Sequence, residues 1–451
     1  MRWTAGSVRA ALGLPAAASD EVYPAISTDT RSLETGALFV ALAGERYDGH
    51  DHLQAARAAG ARAAIVRHGT PAVEGLALIQ VDDTLRAYGD LAHARRKEVS
   101  GPVIAITGTN GKTSTKEMVA AVLRTRFRTH ATRLNYNNLV GVPLTILEAP
   151  DDTEALVIEA GANLPGEIAR YREIIEPTIA IVTNVAEGHL EGFGSLEGVM
   201  NEKLALVRDV PLAIVGNEPP ALAERARHLA RREVTAGAQN AERKARDVEI
   251  DGAGRASFTA GSERIHLPLP GRHLASNAML AWAVAEELGL DLPASARALE
   301  ALQLPGGRSE VIRAGGLTIL NDCYNANPQS FASAIATAKA MRQGRRLVFV
   351  AGTMRELGAE SDRLHAQVAE QLVLLKADLL AAVGAFVPAL EPYRDALGER
   401  LLTAPEPLAL APLLAERLTG SELLVLKASR GVALERILPL LTTRTASAGE
   451  A

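Results

Sequence analysis

The 451-residue chain contains a single cysteine, Cys323. That excludes an intrachain disulfide and any zinc site built from several cysteines, and it suits a reducing cytoplasm. Aromatic residues make up only 4% of the chain, so its cores must be built from alanine, leucine, valine and isoleucine. A bias to one sign of charge is also missing: 48 basic residues face 53 acidic ones, for a formal net charge of −5. So weak a summed field gives no reason to expect nonspecific binding to nucleic acid or to an anionic membrane, and any anionic ligand must be held by a local site. No uncharged apolar run reaches the roughly 20 residues that span a bilayer. Val8 to Ala18 has the look of a signal-peptide core, but Arg9 interrupts it and Pro15 breaks it, so a short helix opening a domain is expected there.

The length predicts about three domains at roughly 150 residues each. With 47% hydrophobic and 22% charged residues the composition is that of an ordinary soluble globular protein. Strand-like runs recur, each followed by a turn signal and a segment of helical period, which reads as α/β with mostly parallel sheets. A first series, Ala37 to Ala43, Ala63 to Val66 and Ala77 to Val81, suffices for a small α/β domain. A second comprises Val103 to Gly108, Ala155 to Glu159, Thr178 to Thr183 and Leu212 to Val215, with a helix expected over Lys112 to Phe127. The third, Leu317 to Leu320, Leu347 to Ala351, Leu379 to Val383 and Leu423 to Lys427, looks like a doubly wound unit. Domain boundaries are expected near Asp83 and Ile312, dividing the chain into 1–83, 84–312 and 313–451. Ala221 to Arg246 is rich in Arg and Glu and reads as a solvated helix face, since its charges are mixed and no aromatics alternate with them. The last ten residues, Thr442 to Ala451, are small and polar and are expected to fray.

The strongest local signal is Thr107-Gly108-Thr109-Asn110-Gly111-Lys112-Thr113, followed by Ser114, between a strand and a helix. Glycines let backbone N–H groups turn in around an anion, the helix N-terminus adds its dipole, Lys112 supplies a mobile charge, and Thr113 can present a hydroxyl to Mg²⁺. The loop is shorter than the strict Walker pattern, which would need glycine at Ile106. Triphosphate charge must be neutralised during transfer, so acidic ligands are sought at neighbouring strand ends. Glu159 ends one such run and His189 lies in a glycine-rich loop after another. Taken alone, a loop-capping carboxylate and a surface histidine explain these two equally well.

At this point the motifs resemble those of the Mur ligases, and within them the branch that joins D-alanyl-D-alanine to UDP-N-acetylmuramoyl-tripeptide. The resemblance runs from about Ser27 to Arg436. It includes Thr28-Asp29-Thr30-Arg31, with Thr30 where serine is usual, Gly36 to Gly44, and Asp48-Gly49-His50. It continues through the TGTNGKT loop, Asn135-Tyr136-Asn137-Asn138, Glu159-Ala160-Gly161, Thr183-Asn184 and His189-Leu190-Glu191-Gly192-Phe193. Asp322-Cys323-Tyr324-Asn325-Ala326-Asn327-Pro328, Gly352-Thr353-Met354-Arg355-Glu356-Leu357-Gly358 and Lys427-Ala428-Ser429-Arg430 complete the series.

The resemblance implies a small N-terminal α/β domain for the UDP of the substrate, a central parallel-sheet ATPase domain of phosphate-loop type, and a C-terminal Rossmann-like domain that receives the amino compound. It implies ATP and two Mg²⁺ ions as cofactors, UDP-N-acetylmuramoyl-tripeptide and D-alanyl-D-alanine as partners, neither nucleic acid nor a membrane span, a monomer, and a cytoplasmic site. By resemblance Lys112 and Thr113 hold phosphates and the first ion with Glu159, and His189 binds the second. Lys203 stands where related ligases carry a carbamylated lysine; as a bare feature it reads as a solvated helix lysine. His273 and Asn277 match adenine and ribose contacts, with Leu274 replacing the usual asparagine. Arg308 matches the arginine that reaches the γ-phosphate, Asp322 a ribose-side carboxylate, and Asn325 and Asn327 flank adenine. Thr28, Asp29, Thr30, Arg31, Asp48, Gly49, His50, Asn137 and Asn138 fall in the UDP-substrate site, and Lys427, Ser429 and Arg430 in the acceptor site. Thr353 and Ala428 stand where this branch usually has aspartate and glycine.

Competing readings are another amino-acid-adding ligase of the same family, a folylpolyglutamate synthetase, and a nucleotide-binding scaffold without catalysis. The domain ahead of the phosphate loop argues against the synthetase, and intact Lys112, Thr113, Glu159, His189 and Lys203 argue against the scaffold.

Overall fold

The structure is a computed structural model that describes residues 3–17, 20–44 and 47–441. Its mixed α/β architecture divides into two compact units, one of Met1–Ala105, Phe127–Ala162 and Glu167–Thr178, the other of Ile106–Arg126, Asn163–Gly166 and Ile179–Ala451. No helix among the described residues is long and apolar enough to cross a membrane. The tail Thr442 to Ala451, expected to fray, lies outside the described residues.

In the first unit the strands Ile26–Ser27, Leu38–Val40, Ala63–Arg67 and Ala77–Val81 pair in that order, all parallel. Side chains alternate across a strand, so each strand feeds two cores. Leu38, Val40, Ala63, Ile65, Ile79 and Val81 join Trp3, Val8, Tyr88 and Leu91 on one face. Phe39, Ala41, Ala64 and Val66 meet Leu53, Ala56 and Leu76 on the other. The helix expected near the start is Ala5–Ala11, capped by Thr4. Asp83 caps Thr84–Arg96, its carboxylate accepting from Leu85 N and Arg86 N. Thr129–Ala131 and Ala155–Glu159 form a further parallel pair in this unit.

In the second unit Ile179–Val182, Leu212–Val215 and Glu233–Gly237 run parallel in sequence order, and the helices Lys112–Leu123 and His273–Glu287 pack on each other. The helix expected over Ala221 to Arg246 is not found. A helix covers only Pro220–Ala226, after which the chain forms the strands Glu233–Gly237 and Arg243–Lys244 and enters Arg246–Ile250. Val234 and Ala236 are buried there, so the sheet claims a short apolar alternation that the surrounding charges mask in the sequence. An antiparallel sheet of Arg246–Ile250, Arg255–Ala260 and Glu263–Pro270 follows.

The last sheet has the order Glu310–Ala314, Leu317–Asp322, Leu423–Lys427, Leu347–Ala351, Leu379–Val383, Leu401–Ala404, with only the first pair antiparallel. The last strand among the described residues is inserted next to Leu317–Asp322, so three segments far apart in sequence leave the sheet side by side: Asp322 and Ala351 are both register partners of Lys427. This strand-order reversal is where open α/β sheets bind ligands.

Opposite that edge sits Glu422, fully buried. Its carboxylate accepts from Thr419 N at 2.6 Å, Thr419 Oγ1 at 2.8 Å, Gly420 N at 2.8 Å and Arg346 Nη1 at 2.7 Å. Burial pushes its pKa up, but the bonds from Thr419 and Arg346 outweigh this and hold it below the ordinary carboxylate value. Glu422→Ala is expected to cost about 3 kcal/mol in urea unfolding, because it leaves buried donors unpaired. Since the folded value is depressed, the contribution is complete above the unfolded carboxylate pKa and fades as pH falls through the folded one. The gap between wild type and Glu422→Gln should therefore be wide at neutral pH and narrow in acid; a pH-independent gap would contradict the assignment.

Candidate active site

The phosphate loop owes its shape to two glycines. Gly108 has φ +143°, and a Cβ there would stand 2.0 Å from Thr183 Oγ1; Gly111 has φ +77°, and its Cβ would meet Asn277 Oδ1 at 2.7 Å. Both the backbone angles and the space exclude larger residues. The loop is pinned by Thr109 N donating to Asn184 O at 2.9 Å, Asn110 N to Asn184 Oδ1 at 3.0 Å, and Thr183 Oγ1 to Asn110 O at 2.6 Å. Lys112 Nζ donates back to Gly108 O at 2.8 Å and Thr109 O at 3.0 Å. Thr113 and Ser114 are buried in the first turn of the helix. Asn277 is buried against the loop, while His273, four residues earlier, is exposed at the helix start. Leu274 is 1% exposed and belongs to the core.

A second cluster forms around Phe193. His189 sits at φ +55° and its ring meets Phe193 edge-on, with centroids 6.5 Å apart at 79°. The helix Leu196–Leu204, capped by Ser195, carries Lys203 to the same ring, with Nζ 5.1 Å from the centroid. Lys203 is 1% exposed, so the solvated-lysine reading is overturned by burial. His189 Nδ1 lies 2.5 Å from Glu356 Oε2, and the imidazole beside it holds the Glu356 carboxyl below its usual range.

In the first unit Glu159 is 2% exposed at its strand end. Its backbone N donates to Thr132 Oγ1 at 3.0 Å, and its Oε1 accepts from Asn137 Nδ2 at 2.9 Å. Gly161 leaves room for that amide, since a Cβ would come within 2.8 Å of Asn137 Nδ2. Asn138 Oδ1 accepts from Val140 N at 3.2 Å and Gly141 N at 2.8 Å, opening the helix Gly141–Leu147. Asp29 grips Arg31 through Nε at 2.9 Å and Nη2 at 2.6 Å, which holds its pKa down at about 2; Thr28 and Thr30 are half-buried on the same turn. His50 is fixed on both nitrogens, with Nδ1 2.5 Å from Asp48 Oδ1 and Nε2 accepting from Arg67 N at 3.0 Å. Gly49 is buried where a Cβ would stand 2.9 Å from Ala41 Cα.

At the carboxyl edge of the last sheet, Lys427 Nζ binds Asp322 Oδ2 at 2.7 Å and Asn325 O at 2.6 Å, so a residue expected to meet the acceptor braces the Asp322–Asn327 loop. Asp322 Oδ1 also accepts from Ser309 N at 3.1 Å. The neighbouring Arg308 guanidinium stacks 3.3 Å over the Tyr324 ring, with Arg430 6.0 Å from the same centroid. Asn325 is exposed. Asn327 caps the helix Pro328–Arg342 and exchanges amide hydrogen bonds with Asn110 of the phosphate loop, at 2.8 and 3.2 Å. Ser429 Oγ accepts from Arg355 N at 2.9 Å. Thr353 Oγ1 accepts from Ala385 N at 3.0 Å, and Ala428 is buried beside Gly352. Phe193, Tyr324 and Glu356 lie inside motifs visible in the sequence, but their contacts with Lys203, Arg308 and His189 appear only in the structure.

Fold and site define a nucleotide-binding α/β protein with a second ligand edge on a doubly wound sheet. Family models match three successive stretches: the Mur ligase family catalytic domain over residues 23–96, the Mur ligase middle domain over 106–285, and the Mur ligase glutamate ligase domain over 307–430. The chain belongs to the Mur ligase family. It is 35% identical over 428 residues to the UDP-N-acetylmuramoyl-tripeptide–D-alanyl-D-alanine ligase of Bacillus subtilis, covering 92% of each chain. The crystal structure of MurF from Acinetobacter baumannii superposes with a TM-score of 0.89 at 30% identity, covering 98% of this chain and 99% of that one. MurF ligase from Thermotoga maritima in complex with ADP gives 0.82 at 27% identity, covering 94% and 98%.

Proposed function

We infer that the protein is an ATP-dependent ligase that forms an amide between UDP-N-acetylmuramoyl-tripeptide and D-alanyl-D-alanine, a cytoplasmic step of peptidoglycan precursor synthesis. The observation that carries this is the glycine cradle of Gly108 and Gly111 around Lys112, in a chain similar over nearly its whole length to ligases of that name. The three tasks fall to 1–83 for the UDP substrate, 84–312 for ATP and 313–451 for the acceptor.

A carboxylate is a poor electrophile, so the reaction first makes a leaving group. A terminal carboxylate oxygen of the tripeptide attacks the γ-phosphorus of ATP, ADP leaves, and an acyl phosphate forms. The amine of D-alanyl-D-alanine then adds to the carbonyl, loses a proton, and expels phosphate as the amide forms. The chain's share is positioning and charge neutralisation. Lys112 and the loop N–H groups hold the phosphates, and Arg308, carried on the Tyr324 face, reaches the γ-phosphate. His273 and Asn277 contact the nucleoside, along with Asp322, Asn325 and Asn327. Lys427, Ser429 and Arg430 meet the acceptor, and Lys427 also braces their edge through Asp322.

The donor set fits a magnesium ion. Among the described residues no three His, Cys, Asp or Glu side chains converge as a self-sufficient metal site, and Mg²⁺ characteristically takes one or two protein ligands together with phosphate oxygens and water. Thr113 would hold one ion and His189, with a carbamate on Lys203, a second, while Glu159 offers a carboxylate oxygen in the first unit. When bound, the ions supply neutralisation of phosphate charge.

An ADP-release assay over a panel of UDP-muramoyl peptides and amino acceptors tests the reading. Turnover is expected only when UDP-N-acetylmuramoyl-tripeptide and D-alanyl-D-alanine are both present. Turnover with another acceptor, or ATP binding without turnover on any pair, would overturn it.

A further inference from the structure

We propose that Glu356 is a positioning residue for His189, fixing its imidazole with Nδ1 toward the carboxylate and Nε2 as the nitrogen left for a ligand. This rests on the proposed function, in which His189 is a metal ligand. The loop Gly352–Gly358, which follows the strand Leu347–Ala351 of the last sheet, thereby governs a group on the far side of the sequence, in the stretch matched by the middle-domain model.

Three observations carry the assignment. The His189 Nδ1 to Glu356 Oε2 distance is 2.5 Å, an ion-pair contact that sets the carboxylate directly against this ring nitrogen. A hydrogen bond at one imidazole nitrogen decides which nitrogen bears the proton, and so which offers its lone pair. Both partners also sit in the left-handed backbone region, His189 at φ +55° and Glu356 at φ +64°. Residues other than glycine adopt it rarely. Finally, the two loops meet along their backbones as well. Glu191 N donates to Glu356 O at 3.2 Å, and a Cβ on Gly358 would stand 3.3 Å from Glu191 Cα.

Glu356 is itself held from behind. Met354 N donates to Nε2 of the buried His365 at 2.9 Å, and His365 Nδ1 donates to Ser361 O at 2.7 Å. Arg355 N is tied to Ser429 Oγ. Phe193 also meets the imidazole edge-on. Such outer partners set ligand orientation, and their loss lowers metal affinity or activity about 10- to 100-fold.

The test uses the full chain with ¹⁵N-labelled histidine, free of Mg²⁺ and nucleotide, with the His189 signals assigned by their loss in His189→Ala. The wild type should show His189 as the Nδ1–H tautomer, Glu356→Ala should move it to Nε2–H, and Glu356→Gln, which keeps an acceptor oxygen, should restore part of the wild-type pattern. An unchanged tautomer in folded Glu356→Ala overturns the proposal. In the ligase assay Glu356→Ala should raise the Mg²⁺ concentration for half-maximal rate about 10- to 100-fold, leave KM for the UDP substrate unmoved, and add nothing in a His189→Ala background. The same loss with and without His189 also overturns it. If His189→Ala keeps wild-type Mg²⁺ dependence, the metal-ligand reading fails, and the imidazole spectrum alone decides the positioning.

Discussion

Lys112→Ala is expected to lower kcat about 10³-fold, equivalent to about 4 kcal/mol of transition-state stabilisation. Two features support so large a value. The chain carries a net charge of −5, so no general positive field exists to replace a lost cation at the phosphates. Lys112 also begins the helix Lys112–Leu123, and its Nζ rests on the carbonyls of Gly108 and Thr109, within reach of any anion in the loop. The cost to folding should be small, since the ammonium is only part-buried and its two carbonyl bonds are exchangeable for water. Affinity for the UDP substrate should be nearly unchanged, because Thr28 to Arg31 and Asp48 to His50 lie in the other compact unit. Single-turnover kinetics and calorimetric titration of the UDP substrate separate the two effects. A parallel loss of UDP-substrate affinity would contradict the division of tasks.

Gly108→Ala is expected to lower kcat/KM at least about 10²-fold, by a different route. The new methyl group would stand 2.0 Å from Thr183 Oγ1 and 3.1 Å from Asn184 O, at a φ of +143° that L-residues avoid. Something must shift, and the groups that would shift are those that pin the loop: Thr183 Oγ1 donates to Asn110 O, and Asn184 receives Thr109 N and Asn110 N. The loop N–H groups would then no longer converge on a phosphate, and a displacement of 1 Å suffices for a loss of this order. Strain and overpacking should also cost about 1–3 kcal/mol of stability. ATP binding by fluorescence titration together with thermal unfolding checks both. Wild-type affinity in a destabilised protein would show that the loop tolerates the methyl group, and that the cradle's shape is less constrained than its glycines imply.

Much of the fold is legible in the sequence where the burial pattern is simple. The strands Ala155–Glu159, Leu212–Val215, Leu347–Ala351, Leu379–Val383 and Leu423–Lys427 have the bounds expected of them, because strands covered on both faces read as short continuous apolar runs between turn signals. The segment Ala221 to Arg246 fails for the opposite reason. Its strands are partly exposed and surrounded by charge, so neither a period of two nor one of 3.6 stands out, and neighbouring strands rather than local propensity decide the outcome. Lys203 is a similar case: a lysine on a helix reads as solvated until the position of Phe193 is known.

By itself the sequence determined the α/β class, the glycine-containing phosphate-loop motif, and the residue types able to bind phosphate and a divalent ion. These depend on chemistry carried within a few consecutive residues. Tertiary structure alone decided the rest. It placed Asp322, Ala351 and Lys427 side by side by inserting the last described strand between two earlier ones. It paired Lys427 with Asp322, and it set His189 against Glu356. The physical reason is that strand order and loop contacts are fixed by which apolar faces bury against each other across hundreds of residues, a pairing that no local window of sequence contains.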